Sequence, residues 1–445
     1  MTDAPRTVYI ETYGCQMNVS DSELMLGKLT AAGYAQAEGP EGADVILVNT
    51  CAIREHAETR VIGRLGELKR HMKADTIMGV TGCMAQRLGP RLLDQAKHVS
   101  LVIGPDGYRA LPDLIDGARE GQRTAVTDFD LEEHYEDVLP IRGDRVKAWI
   151  PVQRGCDYRC TYCIVPTTRG PERSRNLDDV VRETRATVEQ GITEVILLGQ
   201  TVNSYRAGSH DFADLLRAVG AVDGIKRVRF TSPHPNDFSD RVIAAMAEVP
   251  AVCEHVHLPM QSGSSRTLKR MLRRYTREEY FDCVARLRAA IPGLALTTDV
   301  IVGFPGETDD EFAETLSACE QLGFEDAFTF KFSAREGTPA TRMPAELTVP
   351  DAVASARLDQ LITTIRAGAR ERNLGRLGER HEVLVERAAK RGEALMARTR
   401  DFKTVLVPAE GYAPGDYLTV ELTGTTGSTF TGAPVSSRAA LPMAG

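Results

Sequence analysis

Twice along this 445-residue chain, short β-branched apolar runs alternate with amphipathic helical stretches, a pattern that few folds accommodate. The first series has strands at Thr7–Thr12, Ala43–Asn49, Thr76–Thr81 and Val99–Ile103. Helices fall between them at Leu24–Ala32, Arg54–Met72 and Gln86–Lys97. The first helix is opened by the capping box Ser20-Asp-Ser-Glu23 and closed by Gly33. Ala43–Asn49 is apolar almost throughout, as a strand covered on both faces of a parallel sheet must be. This region predicts a doubly wound parallel sheet. The series restarts with strands at Ala148–Gln153, Glu194–Leu198, Arg227–Thr231, His255–Pro259, Ala295–Val302 and Ala327–Phe332. Helices intervene near Leu177–Gln190, Phe212–Val219, Phe238–Ala247, Ser265–Met271, Arg277–Ile291 and Asp309–Leu322, and Val349–Asn373 closes the region. Six β/α units predict a partial TIM-like barrel rather than the full eight.

Between the two series, Asp128–Asp137 has six acidic residues in ten and reads as a solvated connector. Beyond Gly375 the helical period gives way to Glu382–Glu386, Ala394–Thr399, Lys403–Val407, Tyr417–Leu422 and Ser428–Gly432. These predict a small five-stranded β-barrel, a shape that often grips oligonucleotides. The expected architecture is α/β throughout its first two folded regions. Residues 1–127 form the parallel-sheet domain, 128–145 the acidic linker, 146–374 the barrel and 375–445 the small β-barrel.

Within this frame the thiols are informative. Cys156, Cys160 and Cys163 are spaced C-x3-C-x2-C and follow the first barrel strand, so they open on the face where barrel active sites sit. A structural zinc site normally closes with four protein ligands, and an ordinary Cys₄ iron–sulfur cluster also uses four. A [4Fe–4S] cube held by three thiolates keeps one iron open for a small chelating ligand, and the amino and carboxylate groups of S-adenosylmethionine (SAM) suit it. At this loop the chain resembles the radical-SAM superfamily, and the aromatic Tyr162 fits. The competing reading is a zinc knuckle with a distant fourth ligand, but no fourth Cys or His lies close by. Cys15, Cys51 and Cys83 each fall just past the end of a predicted strand, the edge where open parallel sheets bind ligands. Gly14 and Gly82 beside them permit close backbone approach. Spacing alone would favour three buried thiols. The repeated strand-end position favours a second cluster with one open iron. Cys253, Cys283 and Cys319 sit among apolar or helical neighbours and read as packing thiols.

Other strand ends carry candidate SAM contacts. Gly199, Gln200 and Asn203 follow the second barrel strand, and Gln261 ends the fourth, near His257. Ile301 and Gly303 belong to Asp299-Val-Ile-Val-Gly-Phe-Pro-Gly-Glu307, which resembles the superfamily's stretch that packs against the adenine of SAM.

Net charge is −8 and the sequence pI about 5.7, so any RNA contact must rest on local positive charge. Three basic clusters exist: Arg169, Arg173 and Arg175 beside the thiol loop; Arg266, Lys269, Arg270, Arg273, Arg274 and Arg277 in one helix pair; and Lys390, Arg391, Arg398, Arg400 and Lys403 on the small barrel. They favour phosphate contacts over a merely solvated face. An odd count of nine cysteines, no apolar run near ~20 residues and no basic-then-apolar N-terminus predict a cytoplasmic protein with no membrane span.

Together these features resemble the methylthiotransferase family of radical-SAM enzymes along essentially the whole chain. The matching stretches are Thr12-Tyr-Gly-Cys-Gln-Met-Asn18, Asn49-Thr-Cys-Ala-Ile-Arg-Glu55, Gly79-Val-Thr-Gly-Cys-Met-Ala-Gln86, Arg154–Pro166, Thr168-Arg-Gly170 and Leu258-Pro-Met-Gln-Ser-Gly263. Gly-Cys15-Gln-Met-Asn and Pro-Met-Gln-Ser-Gly263 look like the branch acting on tRNA rather than on a ribosomal protein, and the tail resembles the RNA-binding TRAM domain. Thr167, Ala397-Arg-Thr399 and Ala388-Ala-Lys390 depart from the family pattern, and none is a thiol. The resemblance implies an auxiliary [4Fe–4S] cluster on Cys15, Cys51 and Cys83 and a SAM-cleaving one on Cys156, Cys160 and Cys163. It implies methylthiolation of N6-isopentenyladenosine, 3′ of the tRNA anticodon, with SAM as methyl donor and as radical source. It also implies an electron donor such as flavodoxin or ferredoxin, and a monomer. Two readings compete: the same chemistry on a threonylcarbamoyladenosine or a ribosomal-protein aspartate, and a non-enzymatic iron–sulfur RNA sensor, which would yield no 5′-deoxyadenosine.

Overall fold

Residues 7–126 build a six-stranded, wholly parallel sheet in a computed structural model that describes residues 5–52, 55–390 and 392–435. Its strands are Thr7–Thr12, Ala35–Gln36, Val45–Thr50, Ile77–Gly82, Leu101–Ile103 and Thr124–Val126. Thr7–Thr12 lies between Ala35–Gln36 and Val45–Thr50, and the last three strands follow in chain order. Val45–Thr50 and Ile77–Gly82 are buried at every position, because helices cover both faces. Two edge strands, Ala35–Gln36 and Thr124–Val126, escaped the sequence reading, being too short to show a period.

The first helix runs Gln16–Ala31 and so starts well before the expected capping box. Ser20, Asp21 and Glu23 are buried inside it. Tertiary bonds override the local signal: the Asn49 side-chain amide donates to the Asn18 carbonyl (2.7 Å) and to Ser22 Oγ (2.8 Å). The helix expected at Gln86–Lys97 is two, Cys83–Leu88 and Pro90–Gln95, broken where Gly89 adopts φ +52° before a proline.

Residues 128–145 do not form a solvated connector. Arg109 pairs with Glu133 and Asp137, the Tyr135 hydroxyl donates to the Pro105 carbonyl (2.9 Å), and Ile141 N–H donates to the Glu23 carbonyl (3.0 Å). Two of its acidic residues share Arg109 of the first domain, and its one buried tyrosine anchors it.

The barrel strands are Lys147–Pro151, Glu194–Leu198, Arg227–Phe230, His255–His257, Ala295–Val302 and Asp326–Lys331. All pair in parallel, as two three-stranded sheets joined by a bridge between Val228 and Val252. The six-unit partial barrel expected from the alternation is present, and the helix Asp351–Gly375 closes it.

Five strands, Arg380–Ala388, Ala394–Thr399, Thr404–Pro408, Tyr417–Thr425 and Thr429–Pro434, close the small barrel. Its core uses alternate residues, Val383, Val385, Leu395, Ala397, Val405 and Val407 among them. This barrel sits on the N-terminal ends of the larger barrel's strands. Arg227 donates to the Arg398 carbonyl (2.7 Å), Arg229 to the Arg400 (2.7 Å) and Thr399 (2.9 Å) carbonyls, and Lys147 to Glu386 (3.0 Å). His255 stacks on Phe402 with centroids 4.7 Å apart. The opposite, C-terminal face is left for the thiols.

Candidate active site between two thiol trios

The loop after Lys147–Pro151 is held from several sides. Gly155 has φ +75°, and a Cβ there would lie 1.9 Å from the Pro171 carbonyl oxygen, so only glycine fits. The fully buried Gln153 donates to the Gly155 carbonyl (2.7 Å) and accepts from Gln200 N–H (2.8 Å) and Thr201 N–H (3.2 Å). Tyr158 stacks on His234 at 3.8 Å and donates to Asp237 (2.9 Å). Thr161 N–H donates to the Met271 carbonyl (3.0 Å). Cys156 Sγ lies 3.2 Å from Thr201 Oγ1, and Arg273 reaches Cys160 Sγ at 3.5 Å. Burial pushes the Cys163 thiol up to about 12, with Cys160 adding to it, and raises Cys156.

Replacing Gly155 by Ala is expected to displace this loop and lower iron occupancy there. Iron and sulfide counts after anaerobic reconstitution should fall by about half, the share of one four-iron cluster. Wild-type counts would show that the turn is dispensable.

The other trio assembles from three strand ends, as expected. Cys15 immediately precedes the helix Gln16–Ala31, Cys51 follows the strand Val45–Thr50, and Cys83 opens the helix Cys83–Leu88. A Cβ on Gly14 would meet Cys51 Cβ at 2.6 Å, and one on Gly82 would meet Asn49 Oδ1 at 2.4 Å, so both glycines allow the strand ends to converge. A hydrogen bond with Cys51 pulls the Cys15 thiol down to about 6, against its burial, with Arg169 and the helix-start N–H groups of Met17 and Asn18 adding to the effect. Burial raises Cys83, opposed by Arg169. Among the described residues no three His, Cys, Asp or Glu side chains gather closely enough for a single metal ion. A four-iron cube takes thiolates one to an iron, and each trio supplies three donors of that kind.

The trios adjoin. Ile164, next to Cys163, packs against Cys83 and Ala52 in one buried cluster. Cys15 packs with Met17 against Trp149, Ile196 and Leu198 of the barrel. Arg169 donates to Cys83 Sγ at 3.1 Å and pairs with Asp21 at 2.7 Å, and Arg154 joins Asp21 at 3.2 Å. All three side chains are buried, with exposures of 0–4%. Tyr135 lies over Arg154, 4.9 Å from its guanidinium carbon.

The structure corrects the basic cluster beside the loop. Arg169, Arg173 and Arg175 are buried and ion-paired, Arg173 to Asp106 (2.8 Å) and Arg175 to Glu183 (2.6 Å). Arg169 and Arg173 clamp the barrel to the first domain, Arg175 is held within the barrel, and none of the three is offered to a phosphate. On the small barrel, Arg400 grips Glu254 (2.8 Å), Lys403 grips Glu325 (2.6 Å) and Arg398 grips Glu386 (3.0 Å), so the first two dock it to the larger barrel. Lys390 is exposed; Arg391 lies outside the described residues. Sequence could not separate buried from exposed arginines, since both look alike without their acidic partners. The middle cluster lines an open groove of about 550 Å³, with Arg159, Arg266, Lys269, Leu272, Arg273 and Arg274 along it. Arg270 and Arg277 turn inward, to Glu311 and to the Glu314 carbonyl (2.7 Å).

The residues singled out for SAM separate into two groups. Tyr162 and Ile301 come together with Met271 and Phe304 beside the loop. Gln261 does not end the strand His255–His257 but lies four residues beyond it in a bridge to Val300, at φ +68°, strained for a non-glycine, its N–H donating to the Asp299 carbonyl (2.8 Å) and its carbonyl accepting from Ile301 (2.9 Å). The others act on protein. Gln200 Oε1 accepts from Gly155 N–H (2.7 Å), and Asn203 exchanges hydrogen bonds with the His234 backbone (2.7 and 2.9 Å). A Cβ on Gly199 would meet Gln153 Oε1 at 2.7 Å, and one on Gly303 would meet Ala354 Cβ at 2.7 Å. Gln153 and Thr201 hold the loop but escaped notice, because no local motif marks them, and Arg273, read only as part of a basic cluster, reaches Cys160 Sγ. Cys253, Cys283 and Cys319 are buried and remote from both trios, with Cys283 pushed up to about 11 and Cys319 to about 12 by burial.

Comparison with known proteins bears on this pair of trios. The Radical SAM superfamily profile matches residues 150–319, and the Uncharacterized protein family UPF0004 profile matches residues 7–104. The tRNA-2-methylthio-N(6)-dimethylallyladenosine synthase of Acidothermus cellulolyticus is 45% identical over 95% of this chain and 86% of its own length. That of Chloroherpeton thalassium is 43% identical over 96% and 95%. The chain belongs to the tRNA-2-methylthio-N(6)-dimethylallyladenosine synthase family. Members of this family are thus similar across both thiol trios. Among solved structures, the radical S-adenosylmethionine methyltransferase TsrM from Kitasatospora setae, with cobalamin and a [4Fe-4S] cluster bound, aligns with TM-score 0.58 and 16% identity over 76% of this chain and 77% of that one. The cobalamin-dependent S-adenosylmethionine radical enzyme OxsB aligns with TM-score 0.55 and 13% identity over 82% and 58%. These likenesses are of fold. No helix among the described residues is long and apolar enough to cross a membrane.

Proposed function

We propose that this protein adds a methylthio group to C2 of N6-isopentenyladenosine, next to the anticodon of tRNA, consuming SAM both as methyl donor and as radical source. One observation carries the reading: the two thiol trios adjoin, with Ile164 packed on Cys83 and Arg169 on the Cys83 thiol. Cys156, Cys160 and Cys163 would hold one [4Fe–4S] cluster, and Cys15, Cys51 and Cys83 the other. When bound, the clusters supply the electron that cleaves SAM and the metal site from which sulfur is delivered. The chain's own residues do the rest. Arg169 places buried positive charge beside Cys83, opposing the burial that raises that thiol, and Arg273 reaches Cys160 from the groove side. The apolar contacts of Ile164 and Cys15 keep water from the seam. The adenine leaves the anticodon-loop stack to reach it, since an atom inside a stack is inaccessible. The basic groove of Arg159, Arg266, Lys269 and Arg274 supplies phosphate contacts that the buried arginines do not.

Anaerobic reconstitution with iron, sulfide, reductant, SAM and an isopentenylated anticodon stem-loop, followed by nucleoside mass spectrometry, tests the reaction. SAM cleavage without a methylthiolated nucleoside would overturn the tRNA assignment, and a product on threonylcarbamoyladenosine or a ribosomal-protein aspartate would redirect it. For the groove, Arg266→Ala with Lys269→Ala and Arg274→Ala should weaken stem-loop binding at low salt. Each lost phosphate contact should flatten the log–log salt dependence by about 0.7–0.9. An unchanged slope would mean that RNA lies elsewhere.

A further inference from the structure

The strand Asp326–Lys331 is the outer edge of its sheet, pairing only with Ala295–Val302 among the described residues. Its period of two puts Phe328 and Phe330 on one face, and Phe332 follows the same alternation. Register sets Phe328 opposite Asp299 and Phe330 opposite Ile301. The alternate residues of the neighbouring strand, Val300 and Val302, are buried in the core under the helices. The phenylalanines therefore face the inside of the barrel. Yet Phe328 is 62% exposed and Phe330 38%. The barrel is incomplete on this side, and the rings line its open interior. A core would have covered them, and leaving an aromatic ring in water forgoes favourable burial.

The stripe is continuous with the site. At its upper end Phe332 and Ile301 pack around the same buried cluster as Tyr162 of the thiol loop. At its lower end His257 meets Phe328 edge-on at 5.8 Å, and His257 Nε2 lies 3.2 Å from Asp299 Oδ1. The histidine and aspartate remain 19% and 27% exposed, so a polar edge borders the apolar shelf. The Asp299 carboxylate disfavours a phosphate here, and exposed π-faces favour a base.

We propose that Phe328 and Phe330 are the binding shelf for the prenylated adenine. The rings cover the purine face and the branched apolar arm, and the His257–Asp299 pair meets the purine's polar edge. The inference rests on the methylthiolation reading above and names how that substrate is distinguished from unmodified tRNA.

Full-length protein would be titrated with two anticodon stem-loops, one carrying isopentenyladenosine and one adenosine at that position. Fluorescence anisotropy is read without SAM, so the result is independent of turnover. Wild type should prefer the prenylated RNA. Phe328→Ala with Phe330→Ala should lose roughly tenfold of that preference, the scale of leaving about two of the arm's carbons unburied, and should weaken the adenosine stem-loop less than the prenylated one. Phe328→Tyr should keep the preference. Both side chains are exposed, so truncation should leave the thermal melt unchanged. A double variant with the full preference overturns the shelf, as does one that loses affinity for both RNAs equally. If wild type shows neither a preference nor a thiolated product, the underlying reading falls and the shelf with it. If wild type thiolates and the double variant keeps the preference, only the shelf falls.

Discussion

Cys160→Ala should abolish release of 5′-deoxyadenosine from SAM, while Cys51→Ala should leave that cleavage intact and yield no methylthiolated nucleoside. The asymmetry follows from where the thiols lie. Cys160 belongs to the loop pinned by Gln153, Thr161 and Tyr158, beside the pocket of Tyr162 and Ile301. Cys51 belongs to a separate sheet, and none of those loop contacts passes through it. Each variant should retain about four of about eight irons per chain. Deoxyadenosine by chromatography, thiolated nucleoside by mass spectrometry and iron by colorimetry separate the outcomes. Wild-type thiolation by Cys51→Ala would remove the auxiliary site from the mechanism. Loss of deoxyadenosine in Cys51→Ala would show that the trios do not act separately.

The second large effect belongs to Asp21. Its carboxylate is wholly buried between Arg154 and Arg169, which come from the other domain. Asp21→Ala leaves two buried guanidiniums without a counter-charge, and breaking such a set costs about 3–5 kcal/mol. Reconstituted variant and wild type should differ by that amount in the denaturation transition that reports the first domain. The auxiliary trio should also bind iron more weakly, because Arg169 reaches both Asp21 and Cys83. Asp21→Asn keeps the shape and should recover only part of the loss. A shift below about 1 kcal/mol for Asp21→Ala would mean that water reaches the cluster of charges.

The alternation of apolar runs with helical stretches was enough to place ten of the strands, because buried parallel strands must be apolar and their helices amphipathic. Strand-end position marked Cys15, Cys51 and Cys83, and the C-x3-C-x2-C spacing marked Cys156, Cys160 and Cys163. What stayed hidden is tertiary. Asn49 recruits Asn18 and Ser22, so the first helix begins at Gln16 and not after a capping box. Arg173 and Arg400 look like phosphate ligands until Asp106 and Glu254 arrive from distant sequence. The Phe328–Phe330 pair does show as a two-residue period, but an ordinary core strand would show the same, and only its exposure distinguishes it.

The docking of the small barrel has a further consequence. Lys147, Arg227, Arg229 and His255, all at or near the starts of barrel strands, are occupied by it. The larger barrel is thus a vessel stoppered at its base. A chain cut after the long helix would expose Arg227 and Arg229 to water and turn the vessel into an open tube. With the stopper in place, that end offers no passage, and SAM fragments and modified base share the upper side of the vessel for exit. Spent products and fresh reactants therefore share the side of the vessel that carries the thiol trios.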